Sequence, residues 1–182
     1  HIDSLFSTSS QTSGREQVDI TGLIGQYAHG NEPSHHMAYL YNYVGKPHKT
    51  QHRVRQIMEE QYSIYSDGLS GNEDCGQMSS WYVLSAMGFY SVTPGLDYYT
   101  IGTPLFDQAH LKLENGQTFV IRADKLSSSN KYIQSVSLNG RTYDKSYILH
   151  ADIMRGGELI FLMGDEPSDW GSQVLPPSSI TK

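Results

Sequence analysis

Two short runs hold most of the residues in this chain that could do chemistry. The first is His29-Gly30-Asn31-Glu32-Pro33-Ser34-His35-His36, a dense polar stretch between apolar ones. Glycine lets backbone come close, and the Asn31 amide and Glu32 carboxylate offer oxygens that suit a hard cation such as calcium, or sugar hydroxyls. His35 and His36 are consecutive, so on a helix they point roughly 100° apart and would not share one metal, which makes zinc a poor reading. A purely structural reading competes: Ser34 caps a helix and the histidines hydrogen-bond within a helix interface. The second run is Gly71-Asn72-Glu73-Asp74-Cys75-Gly76-Gln77-Met78. Two adjacent carboxylates stand before an apolar stretch, where burial and mutual repulsion would raise one pKa and suit it to take a proton from water. Charge matching to a helix N-terminus explains one acid but not the glycines around it. Gly76 inside a helix would cost about 0.5–1 kcal/mol against alanine, so a close approach by another group is expected there.

Neighbouring residues extend both readings. Gln77 and Trp81 lie four apart and share a helix face, so they could offer an amide and a ring to a sugar, although a core tryptophan also explains Trp81. Cys75, the only cysteine, has no assignable His or Asn partner and reads as a small buried hydrophobe. Asp67 reads as a turn residue.

The elements that must position these groups divide near residue 93. Pro33-Ser34 opens a predicted helix with Met37, Leu40, Tyr41 and Val44 on one face; Gly45 stops it and Pro47 restarts the chain. The next helix turns Val54, Ile57, Met58 and Tyr62 inward and Gln51, Arg53, Arg55 and Glu59 toward water. A polar loop at 66–72 leads to a third helix over 73–89, apolar nearly all round and therefore expected between other helices. Strands are predicted at 107–113 and 117–122 around Asn115-Gly116, at 132–138 and 141–143 around Asn139-Gly140, and at 158–163. Asp97-Tyr98-Tyr99 reads as the start of another strand. The expectation is an α+β chain: helices over 1–93, a small antiparallel β module over 94–166, and a Pro/Ser-rich tail over 167–182. One helix enclosed on all sides needs more partners than this chain supplies, so they are expected N-terminal to His1. The start lacks methionine and reads as an internal break in a longer chain.

Composition narrows the classes. A length of 182 residues suits one domain or two small ones. The net charge of −6 gives no basic face for general nucleic-acid binding. A single cysteine allows no intrachain disulfide. No apolar stretch would span a bilayer, and the first residues lack the pattern of a signal peptide. Thirteen tyrosines suit sugar recognition as well as ordinary packing.

Taken in order, HGNEPSHH at 29–36, Tyr39-Leu40-Tyr41-Asn42-Tyr43, Lys49-Thr50-Gln51, GNEDCGQMSSWYV at 71–83, Gly88-Phe89-Tyr90 and YTIGTPLF at 99–106 carry a resemblance. The chain resembles glycoside hydrolase family 92, the calcium-dependent exo-acting α-mannosidases abundant in gut Bacteroidetes, Bacteroides among them. Runs this long are far more specific than a lone short motif.

The resemblance implies a longer enzyme with an N-terminal β-sandwich and an (α/α)6 catalytic barrel, of which this chain is similar to the last helices plus the closing β module. It implies hydrolysis of terminal mannose from α-mannosides or N-glycans with inversion, assisted by Ca2+. Asp74 in the Glu73-Asp74 pair corresponds to the general base. Glu32 with Asn31 falls in the segment lining the metal and leaving sugar, and with Asp74 makes up the implied metal set. His35, Gln77 and Trp81 join Asn31 and Glu32 as implied substrate contacts. The general acid is a glutamate upstream of the Asn-Glu-Pro segment; Glu16 is the one acid of that type before His29, and its Gly14-Arg15-Glu16-Gln17 setting reads as a loop. The acid is therefore expected outside this chain, leaving the segment inactive alone. Family habit implies export to the periplasm, cell surface or medium. Two other classes stay open on the residues alone: a non-catalytic carbohydrate-binding or structural β module with a helical extension, and a glycosidase of another specificity on a similar barrel.

Overall fold

Helices dominate the first half and strands the second in the computed structural model, which describes residues 1–11, 13 and 20–178. Glu16 lies outside the described residues. The short helix α1 (Ile2–Ser7) precedes a two-stranded hairpin of β1 (Leu23–Ile24) and β2 (Tyr27–Ala28). The stretch expected as one α-helix from Pro33 is instead three 3-10 turns, Glu32–Ser34, Met37–Tyr39 and Asn42–Val44. The reason is visible at His35. The Trp81 indole N–H occupies the His35 carbonyl that an α-helix would offer to Tyr39, and Tyr39 N–H bonds the His36 carbonyl instead.

Helix α2 (Pro47–Glu60) begins, as expected, at the proline and buries Val54, Ile57 and Met58. Its opposite side faces water at Glu59 and partly at Arg53, but not at Gln51 or Arg55. Gln51 and Arg55 are 1% and 3% exposed. Gln51 Oε1 accepts the Ile133 N–H at 3.0 Å, and Arg55 donates to the Pro104 and Ser127 carbonyls at 3.2 and 2.7 Å. Polar residue type suggested solvent; the hydrogen bonds instead make α2 the wall shared by the two halves of the chain.

Helix α3 (Gln77–Ala86) is shorter than the sequence pattern suggests. Asp74, Cys75 and Gly76 have φ of +49°, +56° and +92°, a left-handed turn that cannot be the first turn of a right-handed helix. No atom lies within 4 Å of where a Gly76 Cβ would stand, so this glycine serves its backbone angle and not the expected close approach. Met78 and Trp81 are fully buried, but Val83 is 53% exposed, so α3 is not enclosed by the described residues.

The β half has two sheets. Strands β3 (Phe89–Tyr90) and β4 (Tyr98–Ile101) pair antiparallel. After β5 (Gln108–Lys112), β6 (Thr118–Asp124), β7 (Tyr132–Leu138) and β8 (Arg141–Thr142), β9 (Tyr147–Leu149) joins β4 to complete the first sheet. Helix α4 (His150–Met154) then leads to β10 (Gly157–Gly164). The second sheet has the order β5-β6-β10-β7-β8. Both Asn-Gly hairpins form as the sequence predicts. The sheet is mixed, not antiparallel, because β10 returns between β6 and β7 and runs parallel to β6. Phe119, Ile121, Ile133, Leu159 and Phe161 form its core, while Phe6, Tyr27, Val54, Ile57 and Trp81 form that of the helical half. The expected tail is docked as far as it is described. Trp170 donates its indole N–H to the Tyr143 carbonyl at 2.8 Å, Ser146 N–H bonds Val174 O, and Tyr98 Oη donates to Pro177 O at 2.8 Å.

Candidate active site

The site stands on a buried framework that starts at His29, just past β2. Tyr62 Oη donates to the Met78 carbonyl at 3.1 Å, so it accepts from His29 Nε2–H at 2.7 Å; His29 Nδ1 then accepts from Tyr27 Oη at 2.8 Å. Burial pulls the His29 pKa down to about 3, which keeps the ring neutral and this tautomer in place. His29 stacks on His35 at 4.7 Å and meets Trp81 edge-on at 4.5 Å. His35 Nε2–H donates to the His29 carbonyl at 2.9 Å. Its Nδ1 accepts from the Gln77 amide nitrogen at 3.2 Å, which also lies 3.1 Å from Tyr90 Oη. Desolvation holds His35 below the ordinary histidine range.

Two loops rest on this framework, and they cross at Gly30 and Gly71. A Cβ on Gly71, whose φ is +110°, would lie 2.9 Å from Thr21 Oγ1 and 3.0 Å from Gly30 Cα. A Cβ on Gly30 would run into Thr21 Oγ1 and the Ser70 carbonyl. Only glycines allow this crossing, and it carries Asn31-Glu32 and Glu73-Asp74 to the same place.

The crossing brings the Glu32 and Asp74 carboxyl groups into hydrogen-bond contact. That contact, helped by Glu32's own backbone N–H, holds Glu32 below the usual carboxylate range. Two carboxylates in contact repel unless a proton or a cation lies between them. They are also too close to be the acid and base of a glycosidase. Those pairs stand about 5–5.5 Å apart when retaining and about 6.5–9.5 Å when inverting, with a water between. Glu32 and Asp74 therefore form a holding pair.

The remaining candidates divide. Glu73 spends both oxygens on Ser79, accepting from its N–H at 3.0 Å and its Oγ at 2.8 Å, which caps the start of α3. Trp81 is fully buried and offers no platform to a sugar, and His35 is 1% exposed with both ring nitrogens engaged. Gln77 turns its amide nitrogen inward. Cys75 is exposed, contrary to the sequence reading, and so is Asp74, which lies outside the helix rather than buried at its mouth. Asp67 sits in a turn, as expected. Sequence reasoning passed over Tyr27, Tyr62 and Tyr90 and gave His29 no role of its own. Long-range pairing joins these residues, and no local spacing announces it.

The donor set can be tested against calcium on its chemistry. Glu32, Asp74 and the adjacent Asn31 supply hard oxygens, and the touching carboxylates make a place where positive charge is favoured. Calcium takes about 6–8 oxygens, and no group of three or more His, Cys, Asp or Glu that could hold a metal exists among the described residues. The residues fit the ion as part of a shell completed by carbonyls, water or substrate hydroxyls.

Residues 1–165 match the glycosyl hydrolase family 92 catalytic domain. A family GH92 α-mannosidase from Bacteroides thetaiotaomicron, solved with mannoimidazole, superposes with a TM-score of 0.93 at 41% identity, over 98% of this chain and 24% of its own. A family GH92 inverting mannosidase from Bacteroides thetaiotaomicron VPI-5482 gives a TM-score of 0.80 at 39% identity, over 94% of this chain and 25% of its own. An uncharacterized secreted glycosidase of Arthroderma benhamiae is 34% identical over an alignment of 154 residues that covers 82% of this chain and 20% of that protein. The chain belongs to glycoside hydrolase family 92. It spans about a quarter of the length of the solved mannosidases.

Proposed function

We propose that this chain is part of a calcium-dependent, inverting exo-α-mannosidase that removes terminal mannose from α-mannosides such as those of N-glycans. The observation that carries the reading is the meeting of Glu32 with Asp74, brought together by two loops that cross on glycines. Asp74 acts as the general base. Asp74 serves as base in its ionised form, in which its repulsion with Glu32 would be offset by the cation the two residues hold, and its remaining lone pairs orient a water. Asp74 takes the proton of that water as it attacks the anomeric carbon. Glu32, Asn31 and Asp74 hold the cation, which when bound supplies electrostatic stabilisation and orients sugar hydroxyls. Asn31 and Glu32 also face the sugar. The general acid comes from the part of the longer protein outside this chain, as do the remaining barrel helices and the N-terminal β-sandwich. Export from the cytoplasm accords with the fungal relative, which is described as secreted.

The test uses the full-length protein. Hydrolysis of α-mannosides should stop with a chelator and return with calcium, and proton NMR should show β-mannose as the first anomer released. Chelator-insensitive turnover, or α-mannose appearing first, would overturn the proposal.

A further inference from the structure

We propose that Gln77 is a positioning residue whose bridge to His35 sets the placement of Asp74 against Glu32; this rests on the mannosidase reading of those two acids. Glu32 and His35 lie three residues apart in one loop, and Asp74 and Gln77 three apart where the other loop enters α3. The two loops therefore meet at two rungs. The outer rung is the Glu32–Asp74 carboxyl contact. The inner rung runs from Gln77 Nε2 to His35 Nδ1 at 3.2 Å, with Tyr90 Oη 3.1 Å from the same nitrogen.

The rungs differ in permanence. The outer one is made by groups that must exchange partners when water, cation and sugar arrive. The inner one is anchored, since His35 is 1% exposed, donates to the His29 carbonyl and accepts the Trp81 indole N–H on its own carbonyl. Between the rungs lie the left-handed residues Asp74, Cys75 and Gly76. Such a backbone is unfavourable for residues with a Cβ and persists only where surrounding contacts hold it. Gln77 is the first residue past that turn and is tied to the loop that carries Glu32. Its amide nitrogen points inward, so it acts through Asp74.

The test measures kcat and KM of the full-length protein on an aryl α-mannoside, alongside thermal melts, for wild type, Gln77→Met, His35→Phe, the double variant and Tyr90→Phe, with Asp74→Asn as control. Methionine keeps the length of Gln77 without its amide. The expected result for Gln77→Met is a kcat loss of roughly 10–100-fold, as for small misplacements of a reacting group, with KM within about threefold. The double variant should lose no more than the worse single one, because both break one link. Tyr90→Phe frees one side of the same nitrogen and should show a smaller loss in the same direction. Wild-type kcat in Gln77→Met, or losses that simply multiply in the double variant, would overturn the proposal. Should Gln77→Met fail to fold, Tyr90→Phe decides: lowered kcat with an unchanged melt supports the bridge, and unchanged kcat rejects it. An inactive wild type, or an active Asp74→Asn, sinks the mannosidase reading itself and the bridge with it. Active wild type, inactive Asp74→Asn and unimpaired Gln77→Met sink the bridge alone.

Discussion

Neighbouring acids in this chain have parted roles. Asp74 reaches Glu32 on the opposite loop, while its neighbour Glu73 turns back and caps α3 through Ser79. Removing a capping side chain costs about 0.5–2 kcal/mol. Glu73→Ala should therefore lower the unfolding free energy measured in denaturant by an amount in that range and slow turnover far less than a change at Asp74. Equal losses at the two positions would place Glu73 in the chemistry. The oxygen-rich character of both runs was legible in the sequence, because side-chain type alone carries it. The division of labour was not, because it depends on a left-handed turn at residues 74–76 that no propensity marks at Cys75. Trp81 and His35 stayed open between sugar contact and core for a related reason: residue types that suit a sugar also suit a buried hydrogen-bonded core.

At the scale of elements, α2 carries the join between the halves. Arg55 is the clearest case, donating to two carbonyls of the β half while paired with Glu59 at 2.9 Å. Arg55→Met would leave the buried Pro104 carbonyl without its donor, at about 1–3 kcal/mol, and would also lose the bond to the carbonyl of exposed Ser127 and the side chain's packing. Stability should fall by roughly 2–4 kcal/mol in urea unfolding, and a loss under about 0.5 kcal/mol would deny α2 this role. One turn earlier, His52 is held below the ordinary histidine range by burial first, then by Lys131 and Arg53, with Glu60 opposing. Its folded pKa is depressed, so the unfolded chain takes up the proton first as pH falls. His52 has no effect on stability well above the ordinary histidine pKa and destabilises the fold below it. Melting temperature should drop more steeply between pH 7 and pH 5 in wild type than in His52→Gln; parallel curves would contradict the shift. Helical periodicity gave the inward face of α2 correctly. It could not show that Gln51 and Arg55 face protein, because their partners lie about 50–80 residues away in sequence, in strands and loops of the other half. The strands fared better, since Asn-Gly turns fix hairpins locally, whereas the parallel β6–β10 pairing is long-range and leaves no local mark.

For the whole molecule, the family was readable because long runs of unlike residues occur in one order, and residues 1–165 match family 92. The chain spans about a quarter of the length of the solved mannosidases it matches and leaves apolar side chains exposed. Val83 on α3 is 53% exposed and Ile64 in the preceding loop 96%, although α3 is apolar nearly all round. No helix among the described residues is long and apolar enough to cross a membrane. On the proposed reading the general acid comes from the longer protein, so turnover would need that protein. The isolated 182-residue chain should show no measurable α-mannosidase activity under conditions where the full-length protein is active. Comparable rates would place the general acid within these residues.

The most direct measurement compares steady-state hydrolysis of an α-mannoside by the full-length protein and its Asp74→Asn variant. General-base catalysis contributes about 10²–10⁴-fold, so kcat should fall by that factor while KM stays within a few-fold of wild type. Wild-type kcat in the Asn variant would contradict the assignment of Asp74 as the base beside Glu32.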